Sequence, residues 1–266
     1  MALPKKFYDL YSEPMIAKFM ATVDQDNRPN VSFVASIDTW KPESDFLIFG
    51  EFLMVKTQEN LKHNKKVGLL AVNLGLSFAQ ATGDFNGDWV NKGPYFDKIS
   101  YNDMFRYNAY TKIRKAGTIA VKRCFEPAQI GKLTIVKELV SVKTRMRRFK
   151  DGAGVEIPLT VKKKYDQMQA IKAIAYIPEG EVYPFVSPAM SVYPIDRRSL
   201  AFCVSSYNTE LSRLKNGQLV AVMVLTMDPI VYQVKGTVDS FDGKFGRIIL
   251  TEAFSSSPPL AGKKIA

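Results

Sequence analysis

Residues 47–72 read LIFGEFLMVKTQENLKHNKKVGLLAV. The order is a buried strand end, a corner, a basic residue, a short helix and a second strand. Leu47, Ile48 and Phe49 are apolar and strand-like. Gly50 has no Cβ, so the backbone there can turn or approach a ligand closely. Thr57 suits the N-cap of a helix running to about His63, and Glu59 then sits where the helix dipole favours an acid. Asn64 suits a left-handed stop before the next strand. Lys56 would lie on a strand end beside free helix N–H groups, a good seat for a phosphate. An ordinary exposed lysine before a capped helix gives the same pattern.

Outward from this stretch the chain reads as short strands joined by turns. Ile16 to Val23 is apolar, Asp24 to Pro29 has turn composition, and Asn30 to Asp38 alternates. Phe46–Gly50, Val67–Asn73 and Leu76–Gly83 follow as strands. Thr118–Cys124 closes the set. Such a series predicts a barrel rather than βαβ units. Residues 83–94 are rich in Gly, Asn and Asp and read as a loop, with Trp89 either stacking on a ligand or, more commonly for such a residue, serving as a lid over the barrel end. From Tyr95 a helical stripe of Phe96, Ile99, Met104 and Phe105 is expected.

Gly50, Met54, Lys56, Thr57, Asn60, Leu61 and Val67 together resemble the flavin-binding core of the pyridoxamine 5'-phosphate oxidase-like split barrels. The run Met54-x-Lys56-Thr57-x-x-Asn60 is similar to that of the small FMN-binding proteins. The resemblance covers roughly residues 15–125. It implies a six-stranded antiparallel Greek-key barrel with FMN at the interface of two barrels. It also implies contacts from Lys56 and Thr57 to the FMN phosphate. Ser32, Phe33, Val34, Ser36, Phe49 and Gly50 would then line the rest of the cofactor. Ser32 and Ser36 could equally be outward-facing strand polars.

The barrel is written twice. Pro184-Phe185-Val186-Ser187 matches Pro29-Asn30-Val31-Ser32 at an offset of 155. Leu200-Ala201-Phe202, Leu214-Lys215, Val220, Gln233 and Gly236 match Leu47-Ile48-Phe49, Leu61-Lys62, Val67, Gln80 and Gly83, all at 153. Tyr8-Asp9 and Tyr165-Asp166 extend the match backwards. The second copy lacks most of the insertion between Asn86 and Asn108. The fold class expected is mainly β, two tandem six-stranded Greek-key split barrels with short helices. The FMN-binding barrel takes residues 1–128 and the divergent one 162–266. Between them, 129–161 form a basic linker or β-hairpin arm ending in a flexible turn at Asp151–Gly154. Thr209-Glu210 replaces Lys56-Thr57 and Cys203 replaces Gly50. A glutamate repels phosphate, so the second copy is read as a partner wall without its own seat.

The net charge of +11 points to an anionic ligand or to a solvated basic surface. Nucleic acid is not expected, because the basic arm has no aromatic interleaving. No apolar run is long enough to span a bilayer and no signal peptide is read, so a cytoplasmic chain without a membrane partner is expected. Cys124 and Cys203 have neither zinc nor disulfide spacing. The functional expectation is an FMN-binding flavoprotein, an oxidoreductase of flavin-reductase type or an electron carrier, with an unspecified small-molecule or redox partner. The lone histidine, His63, is read as a solvated helix end. No Arg-x-His pair occurs near residue 266, which disfavours pyridoxamine-phosphate oxidation. The rival is a non-catalytic split barrel holding haem, deazaflavin or nothing. Pairing is expected as a homodimer or an intramolecular pseudo-dimer.

Overall fold

The computed structural model describes residues 2–52, 54–100, 113–146, 153–257 and 260–266. Fifteen strands form two antiparallel sheets of the same plan. The first runs β2 (Pro29–Phe33), β1 (Ala17–Val23), β5 (Lys66–Val72), β6 (Ser77–Val90), β7 (Ala116–Cys124), β4 (Phe46–Gly50), β3 (Asp38–Thr39), with β8 (Ala128–Gln129) beside β6. The second runs β10 (Phe185–Pro188), β9 (Ile171–Tyr176), β13 (Leu219–Leu225), β14 (Val231–Phe241), β15 (Phe245–Ser255), β12 (Ser199–Cys203), β11 (Tyr193–Pro194). The strand orders correspond one for one. The chain is thus two tandem split barrels.

The strand expected over 30–38 is split. β2 ends at Phe33, a turn joins Ile37 N–H to Val34 O at 3.2 Å, and β3 starts at Asp38. The two pieces lie at opposite ends of the sheet, so one continuous segment closes each six-stranded barrel. The break costs ladder hydrogen bonds inside the protein. A buried lysine from the neighbouring strand supplies a replacement. Lys18 Nζ donates to Ile37 O at 2.5 Å, and Lys172 Nζ donates to Val192 O at 2.9 Å. Burial pushes Lys18 down to about 8 and Lys172 down to about 7. The glycine pair read in the repeat has a matching cause. Gly83 and Gly236 both sit at register shifts, where a Cβ would strike the backbone oxygens of Ala120 and Ile249.

The copies pack on each other within the chain. Phe19, Val31, Leu70 and Val72 share one core with Ala175, Val186, Met223 and Val231. Gly68 lies so close to Pro184 O that a Cβ would stand 2.3 Å from it. Two glutamines at equivalent positions bolt the seam. Gln80 Nε2 donates to Val186 O at 2.7 Å; Gln233 Oε1 accepts from Val31 N–H at 2.9 Å, and its Nε2 donates to Asn30 Oδ1 at 3.1 Å.

Three expectations are corrected. The hairpin read between the barrels is a helix, α4 (Lys132–Met146), numbered after α1 (Lys5–Tyr11), α2 (Val55–His63) and α3 (Pro94–Ser100). Ile135, Glu138 and Val142 are buried at helical spacing, which overrides the β-branched content. The Gly/Asn/Asp-rich stretch up to Val90 is the outer half of β6, and Trp89 packs edge-on against Phe49 with centroids 5.2 Å apart. Tyr165, in α5 (Leu159–Asp166), is matched by Tyr11 rather than Tyr8; both are fully buried beside the first strand of their barrel. Met104, Phe105 and Asp151-Gly152 lie outside the described residues.

The buried lysines make stability depend on pH. Their folded values lie below the ordinary 10.5, so the unfolded chain binds more protons between about 7 and 10.5. Stability therefore rises with pH across that window, the burial cost being complete below it. Lys172→Met should flatten the rise of the urea midpoint, although Lys18 leaves part of it. An unchanged slope would show that Lys172 is not the group responsible.

Candidate functional site

Among the cavities that both barrels wall along the seam, two are related by the internal repeat. The first, of about 450 Å³, is lined by Asp24, Arg28, Asn30, Lys56, Asn60, Lys235 and Glu252 among others. It continues into a narrow slot of about 30 Å³ beside Ser32, Phe33, Met54, Gln233, Phe254 and Gly262. Helix α2 supplies Lys56, the β1–β2 hairpin supplies Asp24 and Arg28, and β14 and β15 supply Lys235, Glu252 and Phe254.

α2 begins at Val55 with Met54 as N-cap and no side-chain cap. Thr57 is therefore the third helical residue, not the cap, and Glu59 falls outside the first turn. Thr57 Oγ1 is held 2.6 Å from Ser32 Oγ, which takes it away from capping. Asn64 ends the helix in extended conformation (φ −135°, ψ 113°), not left-handed. The uncapped first turn leaves N–H groups free beside Lys56.

Charge in the cavity is unevenly spent. Asp24 binds Arg28 through Nε at 3.0 Å and also draws Lys235 to 3.7 Å. Among the described residues Lys56 has no carboxylate within ion-pair distance. Its Nζ rests 3.2 Å from the Phe254 ring centroid. Burial, then repulsion from Lys235, pushes Lys56 down to about 8. Burial pushes Glu252 up, but the Lys264 hydrogen bond and the nearby lysines outweigh it and hold it below the usual range. A half-buried ammonium stacked on a ring and without a carboxylate partner suits an incoming anion.

Of the eight residues proposed for the cofactor, Ser32, Phe33 and Lys56 meet at the slot, with Thr57 directly behind Ser32. Val34 is buried in the first barrel's core. Phe49 is also fully buried there, against Phe85 and Trp89. Gly50 is covered by Ile113 and Ile99, which a Cβ would strike at 2.8 and 3.0 Å, so no ligand approaches it. Ser36 Oγ is occupied with Gly50, donating to its O at 2.9 Å and accepting from its N–H at 3.0 Å. Sequence reading missed Arg28, Lys235, Glu252 and Phe254. Only the Gln80/Gln233 match hinted that β14 faces the seam.

The second cavity, of about 210 Å³, is lined by Thr82, Lys122, Arg123, Phe125, Tyr183, Phe185, Glu210 and Arg213 among others. Glu210 has a basic neighbour. Arg213, on the same short 3₁₀ turn (Thr209–Arg213), binds Glu181 at 3.1 Å and Glu210 at 3.4 Å. Arg123 arrives from the opposite barrel.

No helix among the described residues is long and apolar enough to cross a membrane, and no metal-ligating cluster occurs among them. No known protein family matches the sequence, and no curated protein does. Solved structures do. HupZ of Group A Streptococcus is 21% identical over 48% of this chain and 99% of its own, with a TM-score of 0.38. An FMN-binding protein from Syntrophomonas wolfei is 17% identical over 48% and 86%, with a TM-score of 0.40. The haem storage protein HutZ of Vibrio cholerae is 12% identical over 47% and 92%, with a TM-score of 0.35. Each spans about half of the present chain.

The state of Lys56 can be read with sulfate, whose charge is constant near neutral pH. Sulfate affinity should be highest below pH about 8 and fall above it, as Lys56 loses its proton. A charge-assisted contact contributes about 1.5–3 kcal/mol, so Lys56→Ala should weaken binding roughly ten- to a hundredfold below that pH and remove the dependence. Calorimetric titration measures both. An equal loss in Lys62→Ala, on the same helix, would place the anion elsewhere.

Proposed function

We propose that this chain binds a phosphorylated ligand of the FMN class in the first interbarrel cleft, with the phosphate at Lys56 and the uncapped turn of α2. The observation that carries this reading is the Lys56 ammonium, half-buried, free of carboxylate partners among the described residues, and facing a cavity of about 450 Å³. The phosphate end fits such a seat. The three-ring end does not fit the slot as it stands, since Phe254 and the backbone at Gly262 leave about 30 Å³. Ring entry therefore requires Phe254 to turn away. A bound FMN would supply hydride or electron chemistry, and the chain would supply position and charge. The resemblance of residues 15–125 to FMN-binding split barrels agrees with this ligand class.

A second reading is a non-catalytic barrel in which Phe254 permanently fills the ring position; the Lys56–Phe254 contact favours it. The two readings separate in one experiment. Purified chain is titrated with FMN and followed by flavin fluorescence. The first reading expects about one FMN per chain, weaker binding in Lys56→Ala and tighter binding in Phe254→Ala. Absence of saturable binding in both the native chain and Phe254→Ala leaves the second reading. A stoichiometry near two would show that Glu210 does not exclude the phosphate.

A further inference from the structure

We propose that the second interbarrel cavity is a separate site for a small single-ring aromatic carboxylate. Its walls combine two features. Phe125, Phe185 and Tyr183 form an aromatic surface, with Phe125 and Phe185 packed edge to face at 5.1 Å. Arg123 brings a guanidinium to the same cavity, 4.4 Å from the Phe125 ring centroid. Among the described residues Arg123 makes no ion pair and no side-chain hydrogen bond. Its neighbours are already committed: Lys122 lies 3.7 Å from Asp84, and Arg213 is shared between Glu181 and Glu210.

Size and charge narrow the ligand. At about 210 Å³ the space is below the ~300 Å³ where sites for drug-sized molecules begin, so one ring fits and a flavin does not. One uncommitted cation matches a single negative charge. A phosphate dianion would meet Glu181 and Glu210 across the cavity. A planar carboxylate matches the fork of a guanidinium, and the ring of such a ligand would lie against Phe125, Phe185 and Tyr183.

The repeat explains why this site differs from the first. Arg123 occupies the register position of Glu252, Phe125 that of Phe254, and Arg213 that of Asn60. The helix-side lysine of the first site is Thr209 here, followed by Glu210. At these two paired positions the charge differs: Lys56 and Glu252 in the first cavity correspond to Thr209 and Arg123 in the second.

Benzoate is the probe, with cyclohexanecarboxylate and inorganic phosphate as comparisons, measured by saturation-transfer NMR and calorimetry on the full chain. Benzoate should bind saturably and more tightly than cyclohexanecarboxylate. Arg123→Ala should weaken it by about tenfold or more, and Arg123→Lys should restore part of the loss. Lys56→Ala should leave it unchanged, which keeps the result independent of the FMN reading. The proposal is overturned if the native chain shows no saturable benzoate binding or if Arg123→Ala binds as well as the native chain. It is equally overturned if Lys56→Ala abolishes binding or if phosphate displaces benzoate.

Discussion

A barrel closed by one broken strand must do something with the carbonyl groups at the break. Here a lysine inside an otherwise apolar strand provides the answer. Lys18 bonds Ile37 O and Lys172 bonds Val192 O, one in each copy and at corresponding places. An ammonium is an expensive donor to bury, as the lowered values of both groups show. A buried carbonyl without a partner is also costly. The break itself is required, because β2 and β3 must pair at opposite ends of one sheet. Closure thus fixes a buried polar pair in each barrel, and β2 and β10, the strands that end at the break, both pack across the seam.

The seam is where the two copies become one protein. Its core is apolar and tightly spaced, as the approach of Gly68 to Pro184 shows. Gln80 and Gln233 set the register by bonding backbone of the opposite barrel. The strands that carry these glutamines also carry the cavity walls. Phe254 lies opposite Gln233 on β15, and Phe125 N–H bonds Gln80 O at 2.9 Å. Fixing the register therefore fixes which wall residue faces which helix. Neither cavity exists in one barrel alone.

Much of the architecture was legible because it is periodic. Matches such as Leu61/Leu214 and Gly83/Gly236 at one offset reflect strands and bulges that must recur for the sheet to close. The helix at 132–146 was misread because Ile135, Val136, Val140 and Val142 are β-branched, whereas packing of Ile135, Leu139 and Val142 decided the outcome. At the site, Lys56 was found because it lies near a recognisable helix start, and Ser32 and Phe33 because the split-barrel resemblance implies them. Gly50 was read as open backbone, and only the fold reveals Ile99 and Ile113 over it. Lys235, Glu252 and Phe254 could not be read from the first copy, since they reach it from more than 170 residues away. The lysines of AKFMATV and IKAIAY were a visible anomaly whose purpose depends on the strand break.

Joining the two barrels in one chain changes what substitution can do. In a symmetric pair of separate chains every change is made in both clefts, so a helix lysine and a wall glutamate appear twice or not at all. A tandem chain lifts that constraint, and each cleft is composed of one helix side and one strand wall that vary independently. The two clefts here differ in charge at corresponding positions. Lys56 faces a wall with Glu252, and Glu210 faces a wall with Arg123. The shared scaffold, by contrast, keeps its lysine at each break, its glycine at each bulge and its glutamine at each seam. Residues tied to closure are duplicated and retained, while residues tied only to a cleft have diverged. By this physical criterion Lys18 and Lys172 belong to the fold, and Lys56 and Arg123 are not held in place by barrel closure.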